Sequence, residues 1–283
     1  MATKYPRFCD PTVDWAFKRI FGSEQYKDAT IGFIRSLLPE KDIQDIKFLN
    51  VEIPGFTSED RDSCVDILCS DVNGNNFIIE MQVVKQDFFR QRTVLYASTL
   101  ISHFADKGER WNYHIKPLYV ISVLDFIMEK DGPENCISHY LSREMATGAV
   151  LPGAPEFFFL EPRRFRKTES ELKNYQEKWL YLFRHAKSLD VIPEGLFKDK
   201  AFDAYFKASE TGNMTKEERM NYDRAMITKT DIEYGKLYSF NEGKAEGRLD
   251  AQKEVARKLL AKGLPLQEIS ELTGLPEDVI KSL

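Results

Sequence analysis

The chain has 283 residues, 42% hydrophobic and 12% aromatic, which is enough apolar surface to bury a sizeable core and implies one large or two modest folded domains. Its 40 Lys and Arg against 45 Asp and Glu leave a formal net charge of -5, which excludes a surface coated in nucleic-acid-binding charge, so contact with a polyanion must be local. Cys9, Cys64, Cys69 and Cys136 contain no CxxC pair, and His103, His114, His139 and His185 do not stand near them at zinc-ligand spacing, so reduced thiols in a cytoplasmic protein are expected. The opening MATKYPRFCDPTVDWAFK lacks the apolar run of a signal peptide, and no stretch approaches about 18 uninterrupted apolar residues, so no membrane attachment is expected.

Between Asp10 and Leu38, Val13, Phe17, Ile20 and Phe21 and then Ile31, Ile34 and Leu38 recur at helical spacing, with Gly22 as punctuation and Pro39 as a stop. Two short helices are predicted. Ile46 to Phe56 has strand composition and carries the turn signal Pro54-Gly55. Two apolar runs follow, CVDILCSDV and FIIEMQVV, joined by Asn73-Gly74-Asn75-Asn76, whose residues tolerate positive φ. They form the strongest hairpin signal in the chain. Phe88 to Phe104 carries a helical stripe, KPLYVISVLDFI reads as a buried strand, and NCISHYL and FFFLE read as further strands. Helical patterns then cover roughly 169–188, with several shorter pieces to about Tyr238 that act as packing extensions rather than a separate catalytic unit. A charged helix, EGKAEGRLDAQKEVARKLLAKG, precedes two short amphipathic segments separated by Thr273-Gly274, an arrangement resembling half of a helix-turn-helix. The domain expectation is therefore a core over 1–165, a mainly helical extension over 166–238 and a tail over 239–283.

The hairpin can be read further, because side chains of a strand alternate between faces. Val65, Ile67, Cys69, Phe77, Ile79, Met81 and Val83 are all apolar and all odd-numbered, and they share one face only if paired residue numbers have an even sum. That requires an odd-length loop, such as a three-residue turn over Asn73, Gly74 and Asn75, which places Asp66 across from Gln82 with Glu80 diagonal to Asp66. A two-residue Asn-Gly turn would send Asp66 to the face opposite Glu80. Carboxylates converging this way offer hard oxygen ligands to a magnesium ion, whose shell water and a substrate phosphate would complete. The competing reading of the same residues is ordinary solvent-facing acids on a hairpin.

The pattern VDIL followed by IIEMQ resembles the core of PD-(D/E)XK phosphodiesterases, in which an acid on one strand is followed by E-x-K or E-x-Q on the next. More specifically, DPTVDWAFKRIFG, CVDILCSDVNGNNFIIEMQ and DFFRQRTVLYAS together resemble the recombination-promoting nuclease and putative transposase family, over roughly 10–125. The resemblance implies an α/β, restriction-endonuclease-like mixed β-sheet core flanked by helices, here with a helical C-terminal extension. It also implies Mg2+-dependent DNA cleavage, with Mn2+ as an alternative ion, and a link to recombination or transposition. Matched residue by residue, Asp66 and Glu80 stand for the metal-binding carboxylates, and Gln82 occupies the place of the usual lysine. Glutamine is uncharged and can only orient water by hydrogen bonds, so slow turnover or lost activity is a second expectation. Lys85 would need a bulge or a strand end to replace the missing ammonium.

Arg92 and Tyr96 match the R-x-x-x-Y of the family on the next helix and would orient phosphate or the Glu80 carboxylate, unless they form a surface pair. Asp14 and Lys18, four apart on the first helix, read either as an exposed ion pair or as an acid near the metal. The basic run Pro162 to Lys167 reads as a solvated loop or a phosphate grip, and the acids Glu277 and Asp278 at the start of the last segment favour partner or self-association over DNA. Gly235-Lys236 and Gly243-Lys244 lack the spacing of a nucleotide-binding loop. The leading expectation is a DNA endonuclease with DNA as partner. The alternative is a catalytically inactive nuclease-fold assembly protein, homo-oligomeric through its tail.

Overall fold

The computed structural model describes residues 5–50, 65–104, 115–129, 131–132, 134–196 and 198–283, which form two compact units, 1–226 and 227–283. The Pro54-Gly55 signal, Cys64 and His114 lie outside the described residues. Among the described residues, no helix is long and apolar enough to cross a membrane.

The first unit opens with the two predicted helices, α1 (Asp14–Phe21) and α2 (Lys27–Leu37). Ala16, Phe17, Ile20 and Phe21 form the buried stripe of α1, while Asp14 in its first turn and Lys18 and Arg19 in its last complement the helix dipole. The strands β1 (Ile46–Phe48), β2 (Ile67–Asp71) and β3 (Asn76–Gln82) follow, then α3 (Phe89–Phe104), β4 (Leu118–Leu124), β5 (Ile137–Tyr140) and β6 (Glu156–Leu160). They form one six-stranded sheet ordered β1-β2-β3-β4-β6-β5. β3, β4 and β6 run parallel, and β1, β2 and β5 run antiparallel to their neighbours, so the sheet is mixed as expected.

The hairpin parity agrees with the expectation, but its register does not. Ile67 pairs with Ile79 and Ser70 with Asn76, one pairing step away from the predicted alignment. The three-residue loop is Val72-Asn73-Gly74 rather than Asn73-Gly74-Asn75, with Asp71 and Asn75 closing it. Gly74 explains the shift, since its φ of 81° is left-handed and such loops take that conformation at their last residue. The Asp71 carboxylate reinforces the choice by accepting from the backbone N–H of Asn73 at 2.9 Å and of Asn75 at 2.8 Å.

Both faces of the sheet are covered. Ile67, Cys69, Phe77, Ile79 and Met81 meet α1, α2, α4 (Tyr175–His185) and α5 (Lys200–Ser209) in the larger core. Val65, expected in that set, instead packs with Leu68, Ile78, Val120 and Tyr96 beneath α3, because it precedes β2 and escapes the strand alternation. Trp179, Phe202 and Tyr205 share the core of the sheet itself. α6 (Lys216–Ala261) is one continuous helix of 46 residues where shorter pieces were expected. No proline interrupts it, and Gly235, Gly243 and Gly247 weaken a helix by only about 1 kcal/mol each without ending it. In the second unit α7 (Leu266–Thr273) and α8 (Glu277–Lys281), separated by left-handed Gly274, build a small core of Ala256, Ile269, Leu275 and Ile280 with the end of α6.

Helices α2 and α5 touch at Gly32, where an added Cβ would stand 2.2 Å from the Ala201 Cβ. Gly32→Ala is therefore expected to push the two helices apart and cost about 1–3 kcal/mol. Urea unfolding would read this as a lowered midpoint, and an unchanged midpoint would show that the contact relaxes freely.

Candidate active site

The observed register brings the acids together more directly than the predicted one. The β2–β3 ladder ends at the Ile67–Ile79 pair, and Asp66, one residue before β2, stands close enough to Glu80 for its charge to act on that carboxyl. Glu80 sits in the middle of β3 between paired strands and beneath α3, and it is only 3% exposed, which rules out a solvent-facing acid on an open hairpin. Its carboxylate makes no hydrogen bond among the described residues. Asp66, just before β2, is anchored instead: Oδ2 accepts from the Met81 N–H at 2.8 Å, and Oδ1 lies 3.3 Å from Lys18 Nζ.

These surroundings disfavour ionisation. Burial pushes the Glu80 carboxyl up, the neighbouring Asp66 carboxylate pushes it further, and Arg92 offsets only part of this, leaving it at about 7. Asp66 is raised too, by burial, against the opposing pull of the Met81 N–H and Lys18. Two like-charged groups facing each other in a region poor in water present hard oxygens that a divalent cation would satisfy, so the donor chemistry fits such an ion. Among the described residues, no group of three or more His, Cys, Asp and Glu side chains is gathered as a metal cluster, so the protein's share of a coordination shell would be these two carboxylates.

Gln82 Oε1 accepts from Arg92 Nη2 at 3.0 Å, which leaves the amide NH2 without a partner among the described residues. Arg92 also donates to Gln86 Oε1 at 2.6 Å, and its guanidinium carbon lies 5.8 Å from the ring centres of both Phe89 and Tyr96. Arg92 therefore orients Gln82 by hydrogen bond and acts on Glu80 only through its charge, where a direct bond to the carboxylate was an expectation. Tyr96 is buried among Leu68, Ile78 and Val120, so the pair is not a surface one. β3 ends at Gln82, which frees Lys85 from the strand alternation, but its amine is turned to the Met128 carbonyl rather than to the acids. Three of the four cations of the basic run are in ion pairs, Arg163 with Asp125 at 2.7 Å, Arg164 with Glu161 at 3.0 Å and Lys167 with Glu177 at 2.5 Å, while Arg166 is exposed and Phe165 belongs to the core.

Two neighbours escaped the sequence reading. Lys18 makes the expected ion pair with Asp14 at 2.8 Å, yet the same ammonium reaches Asp66. Ser122 pairs with Glu80 across the parallel β3–β4 ladder, is fully buried, and its hydroxyl has no hydrogen-bond partner. The available signal was Ser122 itself, a small polar residue inside the run LYVISVL.

A carboxyl raised from its ordinary 4.5 to about 7 contributes stability that is complete below the lower value and is lost as pH rises through the higher one. In chelator, wild type is thus expected to be destabilised between pH 5 and pH 8 by about 3 kcal/mol through this group. Glu80→Gln, which cannot ionise, should escape most of that loss in a series of melting temperatures. A variant falling in parallel with wild type would assign the pH dependence to other groups.

The family described as PD-(D/E)XK nuclease family transposase matches residues 11–238, from just before α1 into α6. No curated protein and no solved structure matches the chain. The match takes in most of the sequence, including the sheet, the hairpin acids and the helices beyond them, and this chain therefore belongs to the PD-(D/E)XK nuclease family transposases.

Proposed function

We propose that the chain hydrolyses phosphodiester bonds of DNA with the help of a divalent cation, Mg2+ or alternatively Mn2+, held by Asp66 and Glu80, in the service of recombination or transposition. The observation that carries this reading is the Glu80 carboxylate, almost wholly buried, without a hydrogen-bond donor, and facing a second acid. Groups costly to bury in this way persist where they perform chemistry. The cation, when bound, supplies the charge that neutralises phosphate and activates water.

The remaining tasks fall to side chains. Asp66 is held by the Met81 N–H, so its other oxygen, beside Lys18, keeps a defined position. Gln82, with its carbonyl turned to Arg92, offers only N–H donors, which suit a phosphate oxygen or a water lone pair. It can orient water but cannot remove its proton. Arg92 keeps a positive charge beside the acids, and the Phe89 and Tyr96 rings hold its guanidinium in place.

A second reading, a nuclease fold used for assembly without catalysis, is favoured by the uncharged Gln82 and by the second unit. There, Tyr234, Leu237, Tyr238 and Phe240 of α6 are each exposed. Self-association through such a surface would bury them.

Plasmid nicking in Mg2+ separates the two. Wild type should convert supercoiled to open-circular DNA, and Asp66→Ala and Glu80→Ala should each lose at least about 10²-fold of that rate. Equal nicking by all three proteins would reject the site, and complete inactivity of wild type, in Mg2+ and in Mn2+, would favour assembly.

A further inference from the structure

Asp66 has one oxygen committed to the Met81 N–H at 2.8 Å, so the other, Oδ1, is the one available to a cation shared with Glu80. Lys18 Nζ stands 3.3 Å from that same oxygen. An ammonium and a divalent ion compete for that oxygen, because each repels the other at such short range. The ammonium is already bonded to Asp14 Oδ1 at 2.8 Å, closer than to Asp66, so it keeps a partner if it gives up Asp66. Exposure rises steadily along this line: the side chain of Asp66 is 18% exposed, that of Lys18 47% and that of Asp14 62%. The three residues thus form a line from the buried acids to solvent, with a cation at its centre.

We propose that Lys18 is a tethered counter-ion that bridges Asp14 and Asp66 in the cation-free protein and gives up Asp66, keeping Asp14, when a divalent ion binds, an inference that rests on the reading of Asp66 and Glu80 as its ligands. The flexible stem of lysine suits the exchange, because a small torsional change moves the charge between two carboxylates without disturbing α1. Asp14 is then a positioning residue, the acceptor that keeps the displaced charge from returning. The device has two consequences that an ordinary ion pair lacks. It lowers the repulsion between Asp66 and Glu80 while no metal is present, and it weakens the apparent affinity for the divalent ion, which must displace it.

The test is Mn2+ titration of the full chain by calorimetry, together with melting temperatures in EDTA and in saturating Mn2+, for wild type, Lys18→Gln, Lys18→Arg, Asp14→Asn and Asp66→Asn. Lys18→Gln should bind Mn2+ about tenfold more tightly than wild type, having lost its competitor. It should also melt below wild type in EDTA and recover that difference when Mn2+ saturates. Lys18→Arg should stay near wild type, and Asp14→Asn, which leaves the ammonium only Asp66, should bind Mn2+ several-fold more weakly. Unchanged or weaker binding by Lys18→Gln, or an equal melting deficit with and without Mn2+, would make Lys18 a merely structural ion pair and overturn the proposal. If Lys18→Gln does not fold, Asp14→Asn decides, and tighter Mn2+ binding by that variant overturns it. Absence in wild type of any Mn2+ binding that Asp66→Asn removes would instead bring down the assignment of the ligands, and this inference with it.

Discussion

The Asp71 carboxylate, accepting two backbone N–H groups of the loop it precedes, and Gly74, which alone in that loop takes a left-handed φ, together set the register of the β2–β3 hairpin. Everything at the site depends on that register. A slip of one residue would move Glu80 to the larger core and expel Phe77, Ile79 and Met81 from it, because strand side chains alternate strictly. The aligned hairpin brings Asp66, just before β2, near Glu80, and the parallel ladder from β3 to β4 sets Ser122 beside Glu80.

Burial converts this alignment into chemistry. Had α3 not covered the second face of the sheet, Glu80 would be a hydrated carboxylate of ordinary acidity. With Phe89, Thr93, Tyr96, Ala97 and Leu100 of α3 buried, water is displaced and the acid is pushed toward neutrality. The same helix carries Arg92, whose guanidinium reaches back over the rings to Gln82. One helix thus supplies both the desolvation that strains the acids and the positive charge that partly relieves it.

The distribution of cations completes this picture. A net charge of -5 leaves little positive surface, and in the densest basic run Arg163, Arg164 and Lys167 are paired with Asp125, Glu161 and Glu177. Positive charge near the acids comes from two residues on different helices, Lys18 and Arg92. Neither stands where the strand lysine of the superfamily would, and neither is interchangeable with it: Lys18 is paired to two carboxylates, and Arg92 is bonded to two amides. The cations beside the two acids and Gln82 therefore come from the flanking helices α1 and α3.

Much of the first unit was legible in the residue pattern, since period and turn chemistry are local: α1, α2, the hairpin, α3 and β4 to β6 all announce themselves through apolar spacing, and parity alone gathered Ile67, Cys69, Phe77, Ile79 and Met81. The acids Asp66 and Glu80 were likewise legible from the strand motif, and the family from three motifs read together. The register was not, because parity permits any even pairing and only the loop's demand for a left-handed residue at its end selects one. Nor was the burial of Glu80, which depends on α3 docking from a distance, or the contact of Lys18 with Asp66, which joins a helix to a strand far along the chain. Local sequence determined which side chains share a face. Only tertiary packing decided which of those faces lost its water, because removing water requires surfaces that are remote in the chain to close over it.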